Sequence, residues 1–150
     1  MDDSIHIVVD GGHIVWSVKG EEVQRLDLST VRVIAEYTTP YGPKQDDWFV
    51  KLIVSPTESY ELSMHDSQSE AVLQELRVHF AVPLQTSLYA STEWASQVMY
   101  PAAMEGRPLW RISKARETGV LGWLKAYFFG PQLVFDLTDG LEEEIANATQ

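Results

Sequence analysis

The groups that could do acid–base or metal chemistry are four histidines and a surplus of carboxylates, in a chain of 150 residues without cysteine. Zero cysteines exclude a thiol nucleophile, a thiolate zinc site and a disulfide framework. His6 and His13 flank the stretch "IVVDGG" and raise the question of a shared metal ion. If Gly11 and Gly12 form a two-residue turn, Asp10 pairs with His13, Val9 with Ile14, Ile7 with Trp16 and Ile5 with Val18. The two imidazoles then share a face but stand roughly 13 Å apart at strand rise, beyond the reach of one metal ion with nitrogen ligands at about 2 Å. Asp10 beside His13 reads as a cross-strand polar pair. His65 and Asp66 could form an acid–base pair near Ser63 and Ser67, yet no Gly-x-Ser-x-Gly elbow surrounds either serine. The simpler reading is the start of a helix. His79 falls beside an apolar helical stripe and reads as a boundary residue. Asp2/Asp3, Asp46/Asp47 and Glu142 to Glu144 read as solvated charge. No catalytic residue, metal site or cofactor is implied.

Binding residues stand out more clearly than catalytic ones. The stretch "TTPYGPKQDDW" places Tyr41 between two prolines and carries Lys44, Asp46 and Asp47 ahead of Trp48. An amphipathic aromatic on a stiffened loop suits an interface hot spot. A second cluster, "GRPLWRISKARETGVLGWLK", holds Arg107, Arg111, Lys114, Arg116 and Lys125 with Trp110 and Trp123. Basic residues interleaved with tryptophan could grip an anion or surface, but contact with Glu142, Glu143 and Glu144 accounts for them more simply.

Hydrophobic periodicity supplies the elements that would carry these residues. The opening hairpin puts Ile5, Ile7, Val9, Ile14, Trp16 and Val18 on one apolar face. From Thr30 the sequence alternates, with Val31, Val33, Ala35 and Tyr37 opposing Arg32, Ile34 and Glu36. "WFVKLIVS" is apolar on both faces, as a central strand should be, and "SYELSM" points Tyr60, Leu62 and Met64 inward. The period then changes. Ser67 and Glu70 have capping-box spacing, and Val72, Leu73, Leu76 and Phe80 recur at helical spacing, predicting a helix over about 68–80. "STEWASQVMYP" reads as a second capped helix, with Trp94, Ala95, Val98 and Met99 on one face. "VLGWLKAYFF" reads as an amphipathic helix and "QLVFDL" as a strand, although the pattern of "VLGWLKAYFFGPQLVFDL" admits both helix and strand.

The succession "RLDLSTVRVIAEY", "DDWFVKLIVS" and "SYELSMHDSQSEAVLQELRVHF" resembles bacterial pleckstrin-homology-like or GRAM-like domains over about residues 4–80. The resemblance implies a bent antiparallel sheet or partial barrel closed by the helix, and a role in binding phosphoinositides or peptides or in scaffolding. Lipid-binding members place Lys and Arg around the first hairpin loop. Here that loop is "DGGH", so no lipid contacts carry over. The expected fold is α+β in one domain, with residues 1–83 as sheet plus helix and 84–150 as a mixed helical and strand elaboration packed on it.

A net charge of −11 disfavours polyanions. Nucleic acid is therefore excluded as a default partner, and anionic membranes are disfavoured. "MDDSIH" has acidic residues where a signal peptide has basic ones, which predicts a cytoplasmic protein. The functional expectation is a non-enzymatic, acidic interaction module, with an inhibitor or immunity-type protein binding a basic protein partner as its specific version. The alternatives are a membrane-peripheral adaptor, or a hydrolase with a dispersed site of His65, Asp66 or His13. Trp110, Trp123 and Phe128 could also build a homodimer patch.

Overall fold

The computed structural model describes residues 4–42, 45–114, 133–137 and 145, with 110–114 and 133–137 described as backbone. Strand β1 (Ile5–Asp10) and strand β2 (His13–Val18) form a hairpin around Gly11 and Gly12, both at positive φ. Their register matches the side-chain reading: Asp10 opposes His13, Ile7 opposes Trp16 and Ile5 opposes Val18. Ile7, Ile14 and Trp16 are buried, whereas Ile5 lies at the open end and is 50% exposed.

Strand β3 (Glu21–Asp27) returns from β2 through a turn at Lys19 and Gly20, both at positive φ. It escapes sequence alternation because only Leu26 of "EEVQRLD" is buried. Backbone pairing along a sheet edge, rather than an apolar face, makes this segment a strand. It ends in a 3-10 turn, Leu28–Thr30, where the Asp27 carboxylate accepts from the Ser29 amide at 2.9 Å and the Ser29 hydroxyl at 2.7 Å. Leu26 and Leu28 thus do not share one strand. The turn divides the antiparallel succession into two open sheets, of order β1-β2-β3 and β6-β5-β4-β7.

The second sheet comprises β4 (Val33–Thr38), β5 (Trp48–Ser55), β6 (Glu58–Ser63) and β7 (Ala95–Tyr100). All six residues of β4 are buried, which fits an inner strand covered on both faces. One face, with Ile34, Val50, Leu52, Leu62 and Met99, shares a core with β1–β3 and the helix. The opposite face, with Val33, Ala35, Ile53 and Val98, packs on Met104, Leu109 and Ile145.

"STEWASQVMYP" is therefore not a helix. Ala95–Tyr100 pairs antiparallel with β4, and strand alternation sends consecutive Val98 and Met99 to cores on opposite faces, while a register shift between Ile34 and Ala35 lets Met99 and Tyr100 both reach the core shared with the helix. Apolar residues on both faces of a strand imitate helical spacing, and only the partner strand resolves the ambiguity.

The predicted helix is present as α1 (Ser69–Phe80), and it buries Val72, Leu73 and Leu76. Its start differs from the capping box: Asp66, not Ser67, supplies the acceptor, its carboxylate taking the Gln68 amide at 2.8 Å. The Ser69 hydroxyl donates to the Ser63 carbonyl and ties the helix to the end of β6. Ala81 ends the helix in the left-handed region. Arg77 donates to the Pro83 and Leu84 carbonyls beyond it and pairs with Glu70 at 3.0 Å.

A separate ribbon pairs β8 (Trp110–Lys114) with β9 (Leu133–Leu137), so "QLVFDL" is a strand as expected. The expected helix in "VLGWLKAYFF" lies outside the described residues. No helix among the described residues is long and apolar enough to cross a membrane. The fold is α+β, with antiparallel sheets and α1 among the described residues, and the described sheets are open rather than closed into a barrel.

Leu76 is fully buried in the shared core while Val78, two positions on, is 78% exposed. Leu76→Ala should lower the unfolding free energy by about 2–5 kcal/mol, and Val78→Ala should change it by less than about 0.5 kcal/mol. Urea titration followed by circular dichroism checks both.

Candidate functional site

The functional residues gather where β4 ends, β5 begins and β7 begins. The amide of Thr39 donates to the Asp47 carbonyl at 2.9 Å and closes the base of the 39–47 loop. Met64 N donates to the Trp48 carbonyl, bringing the segment after β6 alongside. His65 Nε2 consequently meets Asp47 Oδ1 at 2.6 Å. The Asp47 carboxyl lies directly over Gly42, where a Cβ would overlap it.

Trp48 forms the floor. Its indole N–H donates to Glu36 Oε1 at 2.8 Å, and its ring lies 6.1 Å from His65 and 6.4 Å from Tyr89 between centroids. Tyr41 meets Trp94 edge to face at 5.6 Å. Tyr41 is 54% and Tyr89 72% exposed. An outer layer of tyrosine thus stands on half-buried tryptophan.

Beneath this layer Glu36 is completely buried. Besides the indole, its carboxylate accepts from Ser87 N at 3.0 Å, Leu88 N at 2.9 Å and Gln97 Nε2 at 2.7 Å. The donors are neutral and converge from β5, from β7 and from the stretch between α1 and β7. Multiple N–H donors are what a buried carboxylate requires in place of water. Glu36 thereby anchors Trp48 and the backbone next to Tyr89.

On the other face of the sheet Tyr37 stacks on Phe49 at 5.0 Å. Lys51 bonds Glu61 at 2.9 Å. Burial, reinforced by the negative charge of Glu61 and by donation of the phenol to it, pushes the Tyr37 hydroxyl far above the usual tyrosine range.

Of the loop residues singled out from sequence, Tyr41, Asp47 and Trp48 belong to this cluster, and Asp46 is exposed beside them. Lys44 lies outside the described residues. His65 pairs with Asp47 rather than with Asp66, whose carboxylate serves the helix start. His13 has a carboxylate opposite it on each neighbouring strand, Asp10 on β1 and Asp27 on β3, and its Nε2 comes within 4.0 Å of Asp27. The Ser63 hydroxyl is buried without a hydrogen-bond partner and so does not complete a relay with His65. No group of metal-ligating side chains occurs among the described residues.

The second cluster is only partly described. Trp110, Arg111 and Lys114 take register positions opposite Leu137, Asp136 and Leu133, and Arg107 sits where its carbonyl accepts from Val98 N at 2.7 Å. Arg116, Trp123, Lys125, Phe128 and Glu142 to Glu144 lie outside the described residues. Glu36, Tyr89 and Trp94 were not legible as site residues. Glu36 alternates with Ile34 like any strand residue, and Trp94 falls in an apparent helical stripe.

Removing the Glu36 carboxylate takes the acceptor from four part-buried donor groups, at roughly 1–3 kcal/mol each, less whatever water recovers. Glu36→Ala should therefore cost more than about 3 kcal/mol of stability and shift Trp48 emission to the red. Glu36→Gln, which sets an amide donor among donors, should fall between wild type and alanine; equal stability of all three in urea would refute this role. Tyr37 generates a pH dependence. Its folded pKa is raised, so its stabilisation is complete below the unfolded value of about 10 and is lost as pH rises beyond it. Between about pH 9 and 11 the urea midpoint of wild type should therefore fall more than that of Tyr37→Phe.

Compared with known protein families, with curated proteins and with solved structures, the chain matches none of them.

Proposed function

We propose that the protein is a non-enzymatic interaction module that docks a basic protein partner on the loop end of its four-stranded sheet. The observation that carries this reading is the exposed pair Tyr41 and Tyr89, standing on Trp94 and Trp48 beside Asp46, Asp47 and His65. Tyrosine and tryptophan dominate interface hot spots because they bury large area with few rotatable bonds. Glu36 supports the pre-organisation of the floor, so little ordering remains to oppose binding. The carboxylates and the net charge of −11 favour rapid encounter with a positively charged surface.

An inhibitor or immunity-type role, in which this end covers a basic effector, is the specific form of the proposal. The scaffold in this reading is a PH-like unit, two antiparallel sheets sharing a core with α1, used for a protein rather than a lipid. Cytoplasmic residence belongs to the same proposal.

A photo-crosslinking residue at position 89 should capture one partner from a lysate of the source cells, and the same residue at position 78 should not. Tyr41→Ala with Tyr89→Ala should weaken that complex by more than about 2 kcal/mol. Asp46→Lys should lower the association rate about tenfold at low salt. Capture independent of crosslinker position, or a complex indifferent to these substitutions, would overturn the proposal.

A further inference from the structure

Among the described residues the three-stranded sheet leaves β1 as an edge strand, with the first turns of α1 beside it. The side chain of Gln68 lies along that edge. Its Oε1 accepts from Ile7 N at 3.0 Å and its Nε2 donates to the Ile5 carbonyl at 2.9 Å. One amide that accepts from a strand N–H and donates to the carbonyl two residues earlier imitates a residue of an added strand. Each strand residue directs its N–H and C=O to one side, and alternate residues share that side. The Ile7 carbonyl and both backbone groups of Val9 therefore face the same way as the bonds to Gln68.

An open trough follows this edge. A shallow cavity of about 550 Å³ lies between Ser4–His6 and Asp66–Gln68. A second of about 220 Å³ continues between Ile7–Val9 and Ala71, Val72 and Glu75. Two exposed apolar side chains, Ile5 and Val8, stand on the strand side.

We propose that this trough docks an extended peptide segment of a partner protein, which adds as a strand to β1, displaces the Gln68 amide and sets a basic side chain against Asp66 and Glu75. Main-chain bonds to an exposed edge supply affinity in this mode of recognition, and side-chain pockets supply selectivity. Charge identifies the occupant. The helix side offers Asp66 and Glu75, the strand side offers only the imidazole of His6, and the chain carries −11. A second copy paired edge to edge would bring its own Asp66 and Glu75 to the same carboxylates, so like charge opposes that occupant. The trough shares no residue with the loop end of the other sheet, and the proposal stands without the reading given to that end.

The test uses the full chain, isotopically labelled, and two probe peptides of opposite register, acetyl-Lys-Val-Lys-Val-Thr-Val-amide and acetyl-Val-Lys-Val-Lys-Val-Thr-amide. At least one should protect the Val9 amide from hydrogen exchange by about tenfold or more, with shift changes confined to β1 and the start of α1. The same peptides with Glu in place of Lys should not bind. Glu75→Lys, at an exposed helix position, should weaken binding several-fold. Gln68→Ala, which removes the competing amide, should strengthen it; circular dichroism reports whether that variant folds, and Glu75→Lys decides the matter if it does not. Binding by neither basic peptide, or binding indifferent to Glu75→Lys, would overturn the proposal. So would a Val9 amide already protected in the free monomer, which would mean that the chain covers its own edge, or protection that grows with protein concentration, which would mean a second copy.

Discussion

A carboxylate without access to water must be surrounded by donors, and around Glu36 that requirement organises the functional end of the molecule. Its two oxygens draw in the Trp48 indole, the Gln97 amide and the backbone of Ser87 and Leu88. These groups come from two neighbouring strands and from a stretch of irregular chain, none of which has an apolar reason to meet there. Hydrophobic burial is non-directional and would tolerate several placements of the 87–94 segment. The carboxylate tolerates few, because each donor must arrive within hydrogen-bond range. Tyr89 owes its position beside Trp48 to this constraint, whereas Trp94 is set by the pairing of β7 with β4 and by the Thr38 hydroxyl on the Glu93 carbonyl.

Glu36 can exert it because β4 is buried on both faces. An inner strand with sheet neighbours on each side and a core above and below gives a charged side chain no route to solvent. The two cores that enclose it have different builders. One is made by the first hairpin, the 28–31 link and α1, and the other by the turn after β7 with Leu109 and Ile145. The Asp27 turn matters here, since it ends β3 and frees the chain to begin a second sheet facing the first. A single continuous sheet would leave one face of β4 open.

The surfaces that remain differ in kind. The loop end presents side chains, with tyrosine outermost and an Asp47–His65 bond bracing the loop against the segment after β6. The edge of β1, unpaired among the described residues, presents backbone, partly answered by the Gln68 amide. Residues 65 and 66 divide the two: His65 turns to Asp47, while Asp66 caps the path into α1. Adjacent positions therefore serve different surfaces, although in sequence they look like one acid–base pair.

The sequence by itself determined whatever depends on near neighbours in the chain. The Gly11–Gly12 turn and the alternation around it set the register of β1 on β2, residue for residue. Helical spacing of Val72, Leu73 and Leu76 set α1 and its buried face, and the apolar run 48–54 set an inner strand. These signals are local because a side-chain period of two or of 3.6 residues is visible within a single element. Tertiary structure decided the rest. Strand β3 has a single buried residue and exists by pairing. Strand β7 has helical spacing and becomes a strand because β4 supplies a partner and two faces to cover. Histidine 65 chooses a carboxylate 18 residues away over its neighbour, and Glu36 is joined to donors 51 to 61 residues ahead of it. A hydrogen bond across such distances leaves no period in the chain, since it depends on where elements pack and not on the spacing within any one of them.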